Sequence, residues 1–252
     1  PNIIHFVFGL KEQCDDFLFC YYLAVYSAYI INKPDLIFFY YHYIPKGTWW
    51  QKLLEIPVIK LEKVNIPTHI GSKEIKFLAH KADKVRMEKI FEKGGVYMDI
   101  DTISVKPYTH LLKNDVVLGK QEPYVGICNA IMMTKPKSEF FRIWLDKYEE
   151  NFKTNGWNES SIDLPYKLSK KYPDLLLVLE PEVFFKPSYN NTFSIFNGKS
   201  DISDKLITLH LWEKMSLRYL KNINDWNWAK KNSETLYGKL IINLICKKSI
   251  IE

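Results

Sequence analysis

An α/β layered fold is predicted by three features of the sequence. Short apolar runs of strand length alternate with longer amphipathic segments of helix length, the order that builds a sheet with helices on its faces. The chain has 252 residues, within the range of one such core, and 47% of them are hydrophobic, ample to fill it. No uninterrupted apolar run reaches the roughly 18 residues that would mark a bilayer span, so the apolar content is available for an interior.

The elements follow in order. Ile3 to Phe8 opens the chain as a strand, and Asp16 to Ile31 reads as a helix capped by Asp15 or Asp16. Leu36 to Tyr41 is a second strand, Trp49 to Leu54 a short helix and Val58 to Leu61 a third strand. A loop bearing Pro67 and Gly71 leads into a helix from Ser72 or Lys73 to Lys93, whose Ile75, Leu78, Ala79, Ala82 and Ile90 form one apolar stripe. Gly94 and Gly95 end that helix by supplying the positive-φ cap that other residues resist. The strand Val96 to Asp101 follows at once. Val116 to Lys120 and Ile127 to Thr134 are strands, Ser138 to Asn151 and Leu164 to Lys171 helices, Leu175 to Leu179 and Ile207 to Leu211 strands. The pattern is helical again from Trp226 to Lys247. There is no internal repeat, low-complexity tract or clear linker.

Charge excludes more than it assigns. The formal balance of +6 suits anionic nucleotides or a membrane surface, yet Lys and Glu alternate along most of the predicted helices, the pattern of a solvated surface. The densest basic spots, Lys167 to Lys171 and Lys247-Lys248, fall far short of a nucleic-acid-binding stripe. Cys14, Cys20, Cys128 and Cys246 show neither metal-ligand spacing nor disulfide-scaffold density. Sequons stand at Asn158 and Asn190, as an Asn-rich chain contains by composition. No basic-then-apolar signal precedes Pro1, and the chain as given reads as soluble, in the cytoplasm or as a luminal domain whose membrane anchor is not in this chain.

The most informative segment is Gly94-Gly95-Val96-Tyr97-Met98-Asp99-Ile100-Asp101. Alternation along an extended backbone sends Val96, Met98 and Ile100 to one face and Tyr97, Asp99 and Asp101 to the other. Two carboxylates so close repel, and a hard divalent ion, Mn²⁺ or Mg²⁺, reverses that repulsion and can bridge to phosphate oxygens. Arg86 falls inside the apolar stripe of the preceding helix, and an inward charge needs a partner. That partner is either Asp83 at i,i+3 spacing or a buried anionic ligand beside the metal. In Ile207-Thr208-Leu209-His210-Leu211-Trp212 the same alternation puts Thr208, His210 and Trp212 on one face. His210 is thereby a candidate metal ligand, and a nitrogen donor biases a site toward Mn²⁺ over Mg²⁺.

These residues carry a family resemblance. AHKADKVRMEKIFEKGGVYMDIDTISVKP, Ala79 to Pro107, resembles the donor-site core of the glycosyltransferases with a sugar-binding region containing a DXD motif, the family 32 enzymes. Their relatives include yeast-type α-1,6-mannosyltransferases, α-1,4-galactosyltransferases and the glucosylating domains of clostridial toxins. PNIIHFVFG at Pro1 to Gly9, CNAIMMTKPKSEFF at Cys128 to Phe141 and HLWEKMS at His210 to Ser216 agree with further landmarks in order. The resemblance implies a GT-A type glycosyltransferase fold, a Rossmann-like open mixed sheet flanked by helices, with ligands at the carboxyl ends of its strands. It implies a single catalytic domain over 1–252, with a nucleotide-sugar half to about residue 107 and an acceptor half from about 108.

The chemistry the resemblance implies is retaining, metal-dependent transfer of a sugar, with a UDP-linked hexose favoured as donor, to a glycan, glycoprotein or glycolipid acceptor. Departure of the nucleotide leaves oxocarbenium character on the sugar and charge on the phosphate. By resemblance Asp101 and Asp99 hold the metal, Asp99 also touches the donor, and Asp83 and Arg86 bind donor hydroxyls or phosphate. His210 reaches the metal or diphosphate, with Trp212 and Lys214 near the phosphates. Asn129 is a sugar-binding candidate or a strand-end turn residue. Phe8 and Gly9 end the first strand where relatives cradle the base, although the glycine also suits a plain turn. Trp49 and Trp50 are candidates for acceptor stacking or for packing. Glu122 and Asp163 are acidic candidates with no assigned role, and Asp163-Leu164-Pro165 stands where many relatives carry Gly-Pro. Two other classes fit part of the pattern: a non-catalytic nucleotide-sugar-binding protein of the same fold, and a metal-dependent phosphohydrolase, which lacks its second set of ligands here.

Overall fold

The computed structural model describes residues 1–251, with side chains described through Lys247. Its centre is a seven-stranded sheet of order β10-β8-β9-β6-β1-β2-β3. β1 (Ile3–Val7) lies between β2 (Leu36–Tyr41) and β6 (Gly95–Met98), and β3 (Ile59–Lys63) closes that edge; these four run parallel. β9 (Gly126–Thr134) pairs antiparallel with β6 and with β8 (Val116–Gln121), and β10 (Leu177–Leu179) adds in parallel to β8. The mixed sheet is therefore as expected. Ile4 is level with Val96 and His5 with Tyr97, so the carboxyl ends of β1 and β6 emerge side by side.

Both faces of the sheet are buried, which is why its strands read as nearly continuous apolar runs. Ile4, Phe6, Phe39, Val96 and Met98 face a core closed by α1 (Phe19–Asn32), with the C-terminal α9 (Leu236–Ile251) against it. Val7, Phe38, Tyr40, Tyr97 and Met132 face the other, closed by α3 (Leu78–Lys93) and α4 (Glu139–Asn151). Among the described residues no helix is long and apolar enough to cross a membrane.

Several expectations are corrected. α1 starts at Phe19 with Leu18 at its N-cap position and no side-chain cap, because the residues before it form a loop pinned by the Phe17 amide on the Lys46 carbonyl at 2.8 Å. α3 starts at Leu78, since β4 (His69–Ile70) and β5 (Lys73–Glu74) form a small hairpin there. Leu78, expected on its buried stripe, is exposed, and Ile75 is buried but precedes the helix. The buried face is instead His80, Asp83, Val85, Arg86, Met87 and Ile90, polar where apolar periodicity looks for a stripe. Only Leu177–Leu179 of the expected 175–179 strand is paired into the sheet, after a 3₁₀ turn at Pro173–Leu175. The C-terminal helical region is broken into α8 and α9 between Lys231 and Leu236, with α8 spanning Asn227–Lys231. β7 (Thr102–Ser104) and α7 (Glu213–Leu220) are elements the periodicity did not reveal, as is the one-turn α6 (Phe193–Phe196); α2 (Thr48–Leu54) and α5 (Leu164–Lys171) lie where expected.

The glycine pair does what its sequence suggests. Gly94 and Gly95 have φ of 67° and 102°, and a Cβ on Gly95 would stand 2.3 Å from the Ile3 carbonyl oxygen. The turn therefore drops α3 directly against β1. His5, buried in β1, holds that turn through its Nε2, 2.8 Å from the Gly94 carbonyl, while its Nδ1 lies 2.9 Å from the Tyr40 hydroxyl.

Candidate active site

At the carboxyl end of β6 the chain leaves the sheet at Asp99, and this turn brings the two carboxylates together. Strand alternation is not the cause: β6 ends at Met98, the Thr102 amide and hydroxyl both bond the Asp99 carbonyl, and β7 then pairs antiparallel with β11 (Thr208–His210). Tyr97, expected on an open face with the aspartates, is buried beneath them. Thr208 and His210 are buried as well, so that face too is internal.

Asp99 belongs to a cluster built by α3. Arg86 donates from Nη1 to Asp99 Oδ1 at 2.8 Å and to the Asn129 carbonyl at 3.1 Å, and its guanidinium lies 4.6 Å from the Tyr97 ring centroid. Its Nε is 3.5 Å from Asp83 Oδ1. The i,i+3 partner read from the sequence is therefore present, and the shorter contact goes to Asp99. Asp83 accepts from Asn129 Nδ2 at 2.8 Å and from the Tyr148 hydroxyl at 3.2 Å, and Tyr97 donates its hydroxyl to Asp99 Oδ1 at 2.5 Å. Burial opposes the charge on Arg86, but Asp99, Tyr97 and Asp83 around it hold its pKa above the ordinary value. Burial pushes the Asp99 carboxyl up, with Arg86 pulling the other way and Asp101 adding to the rise.

Asp101 faces a second cluster. His210 Nε2 is 3.2 Å from Asp101 Oδ2, and the Glu213 amide at the start of α7 donates to the same oxygen at 2.6 Å. Burial disfavours the Asp101 charge, yet His210 and these hydrogen bonds overcome it and leave the carboxyl below its usual range. Burial likewise disfavours a charged His210, and the adjoining Asp101 carries its pKa above the ordinary value. Glu213, which accepts the Tyr21 hydroxyl, is raised by burial and by Asp101.

Asp99, Asp101 and His210 offer one ligand atom each within 4.8 Å of one another. Two hard oxygens and one imidazole nitrogen, with an electron-rich excess of carboxylate beside them, suit a divalent first-row cation. The donor set therefore fits the metal that the motif implies.

The remaining candidates divide. Asn129 lies in this site and Gly9 closes the end of β1, where its carbonyl accepts the His42 and Tyr43 amides. Phe8 is half-buried against Phe17 and Tyr21, with centroids 5.2 and 5.0 Å away. Trp212, at a left-handed φ of 56°, lies tilted against His210 with ring centroids 4.1 Å apart and donates to the Pro187 carbonyl. Lys214 is exposed, with its Nζ 4.9 Å from the Trp157 ring centroid. Trp49 and Trp50 pack: Trp50 is buried against Phe17 and Phe39, and Trp49 lies against Phe19 and Tyr22 with its Nε1 on the Asn224 carbonyl. Glu122 pairs with Lys186 and Asp163 accepts from Tyr124, so neither joins the clusters. Sequence reasoning missed Tyr148 as a partner of Asp83. A signal existed, because Phe141, Trp144 and Tyr148 share the buried face of α4 and a buried phenol needs a hydrogen-bond partner.

A Rossmann-like mixed sheet with a DXD pair at the end of its central strand defines a GT-A glycosyltransferase fold. The comparisons agree, and the chain belongs to the DXD-containing glycosyltransferase family. Residues 9–120 match the glycosyltransferase sugar-binding region containing DXD motif. The chain is 30% identical over 260 residues to Glucan organizing enzyme 1 of Cryptococcus neoformans, covering 96% of this chain and 69% of that protein. It is 26% identical over 154 residues to Lactosylceramide 4-alpha-galactosyltransferase of Mus musculus, covering 54% of this chain and 41% of that one. In fold it resembles the glycosyltransferase GlyE of Streptococcus pneumoniae, with a TM-score of 0.51 at 18% identity over 93% of this chain and 65% of GlyE. The protein is a glycosyltransferase.

Proposed function

We propose that this glycosyltransferase moves a hexose from a UDP-linked donor to a glycan or a protein- or lipid-linked acceptor, with retention of configuration and with Mn²⁺, or Mg²⁺ in its place. The observation that carries the reading is the convergence of Asp99, Asp101 and His210 within 4.8 Å, backed by Arg86. These three residues would hold the cation, which when bound supplies Lewis-acid stabilisation of the leaving diphosphate.

Arg86 positions Asp99 and opposes the rise that burial imposes on its carboxyl. Asp83 holds Asn129, whose remaining amide hydrogen and oxygen fit sugar hydroxyls. The Glu213 amide and the dipole of α7 hold Asp101 in place. Retention is supported by the family alone, and the geometry names no nucleophile. Residues up to about 107 supply the acidic strand and Arg86, but Asn129 and His210 come from the second half, so the donor site spans both.

Nucleoside diphosphate release from a panel of UDP- and GDP-sugars, with Mn²⁺, Mg²⁺ or EDTA, tests the reading. Metal-dependent release from one donor should fall about a thousandfold in Asp101→Asn, the scale of removing a Lewis acid worth several kcal/mol. Release that persists in EDTA or in the variant would refute metal dependence. Nucleotide-sugar binding without release under any condition would favour a binding protein of the same fold.

A further inference from the structure

One aromatic side chain near the clusters has no packing role that explains its exposure. Trp157 lies in the segment between α4 and α5 and is 48% exposed, the largest exposed side chain of the described residues. Its ring stands against His80 at 5.7 Å and Phe77 at 5.5 Å, both at the start of α3, the helix that carries Asp83 and Arg86. From the other side Lys214 reaches the same ring, 4.9 Å from its centroid. Lys214 follows Glu213, whose amide is bonded to Asp101. The tryptophan thus touches both the start of the helix that carries Asp83 and Arg86 and the residue that follows Glu213.

Beneath it lies a second observation. His80 is 4% exposed and its Nδ1 has no hydrogen-bond partner, an uncommon state for a buried polar atom. It lines a cavity of about 10 Å³ together with Tyr148, Trp157 and Ser160, room for one water-sized group such as a hydroxyl. Tyr148 in turn bonds Asp83. A sugar ring has apolar C–H faces and polar hydroxyl edges, and an exposed indole with a buried, unpaired hydrogen-bonding atom beside it matches both.

We propose that Trp157 is the stacking platform for the acceptor sugar, with His80 taking one of its hydroxyls, and that Lys214 covers the platform until the donor diphosphate draws its ammonium away. This rests on the nucleotide-sugar reading above. Lys214 has no carboxylate partner among the described residues and sits in the first turn of α7 beside Asp101. A cation–π contact at an exposed site is weaker than a charge-assisted hydrogen bond to phosphate, so the bound donor wins the ammonium. Donor binding then bares the ring, and the acceptor enters second.

The test labels tryptophans of the full chain with 2-hydroxy-5-nitrobenzyl bromide and reads the tryptic peptide 154–167, in which Trp157 is the only tryptophan. UDP or GDP with Mn²⁺ should raise Trp157 labelling at least threefold. Glucose, galactose, mannose or their methyl glycosides at high concentration should then at least halve it, and only in the nucleotide-bound protein. Lys214→Gln should label fast without nucleotide. Labelling that nucleotide slows or leaves unchanged, a Lys214→Gln rate equal to the unsubstituted protein, or no protection by any sugar would each overturn the proposal. Nucleotide binding is read separately by calorimetry. Heat without a change in labelling overturns this inference alone, whereas no heat from either nucleotide overturns the donor reading and this inference with it.

Discussion

The two acidic clusters at the end of β6 are built from similar parts and are compensated differently. Asp83 and Asp99 share a buried arginine and take hydrogen bonds from Asn129, Tyr97 and Tyr148. Asp101 and Glu213 have only an imidazole, an amide and a phenol between them. The first cluster is compensated within the protein, by the Arg86 charge and three side-chain hydrogen bonds. The second has carboxylate to spare, and that surplus is what a cation answers. The two aspartates of the DXD pair are therefore held unequally: Asp99 by Arg86 of the helix before it, Asp101 by His210 and the Glu213 amide.

Breaking the locked side should produce the largest effect. Arg86→Met leaves the Asp83 and Asp99 carboxylates without the cation they share, and urea denaturation should show a loss of about 4 kcal/mol. The triple variant that also carries Asp83→Asn and Asp99→Asn should recover much of it. A loss below about 1 kcal/mol in the single variant would mean that the cluster is solvated rather than locked.

The frame beneath both clusters can be tested through His5. Burial lowers its pKa to about 4, with the Gly94 carbonyl acting in the opposite direction. The unfolded chain, with an ordinary histidine near pH 6.5, binds more protons across that window. Stability is therefore complete above about pH 6.5 and falls as pH drops toward 4, by ~3 kcal/mol from this group. The difference in pH profile between the unsubstituted protein and His5→Gln isolates the effect. Parallel profiles would show that the turn at Gly94 does not depend on a neutral His5.

A smaller effect sharpens the open side. His210 holds its proton above the ordinary histidine range because of Asp101, and a metal ligand must give that proton up. Mn²⁺ affinity should rise with pH, by about tenfold per unit while His210 remains protonated. His210→Gln should flatten the slope, and an unchanged slope would remove His210 from the ligand set.

The sequence made one side of this comparison more legible than the other. Asp99 and Asp101 are visible as a spaced pair, and Arg86 as a charge where an aliphatic residue was expected. Asp83 was legible as the i,i+3 neighbour of Arg86, whereas the contacts of Tyr97, Asn129 and Tyr148 are set by tertiary structure. α3 buries His80, Asp83 and Arg86 rather than Leu78, so the polar face that builds the site contradicts the apolar period used to find the helix. His210 meets Asp101 through the pairing of β7 with β11, a contact between strands about a hundred residues apart that no local pattern encodes. The sheet was easier to read, because strands buried on both faces announce themselves as apolar runs.

The division of labour is tested most directly by titrating Mn²⁺ into Asp101→Asn and Asp83→Asn and comparing both with the unsubstituted protein by calorimetry. Asp101→Asn should lose metal binding by about a hundredfold or more, while Asp83→Asn binds within about threefold of the unsubstituted protein. Equal losses in the two variants, or a greater loss in Asp83→Asn, would contradict the account.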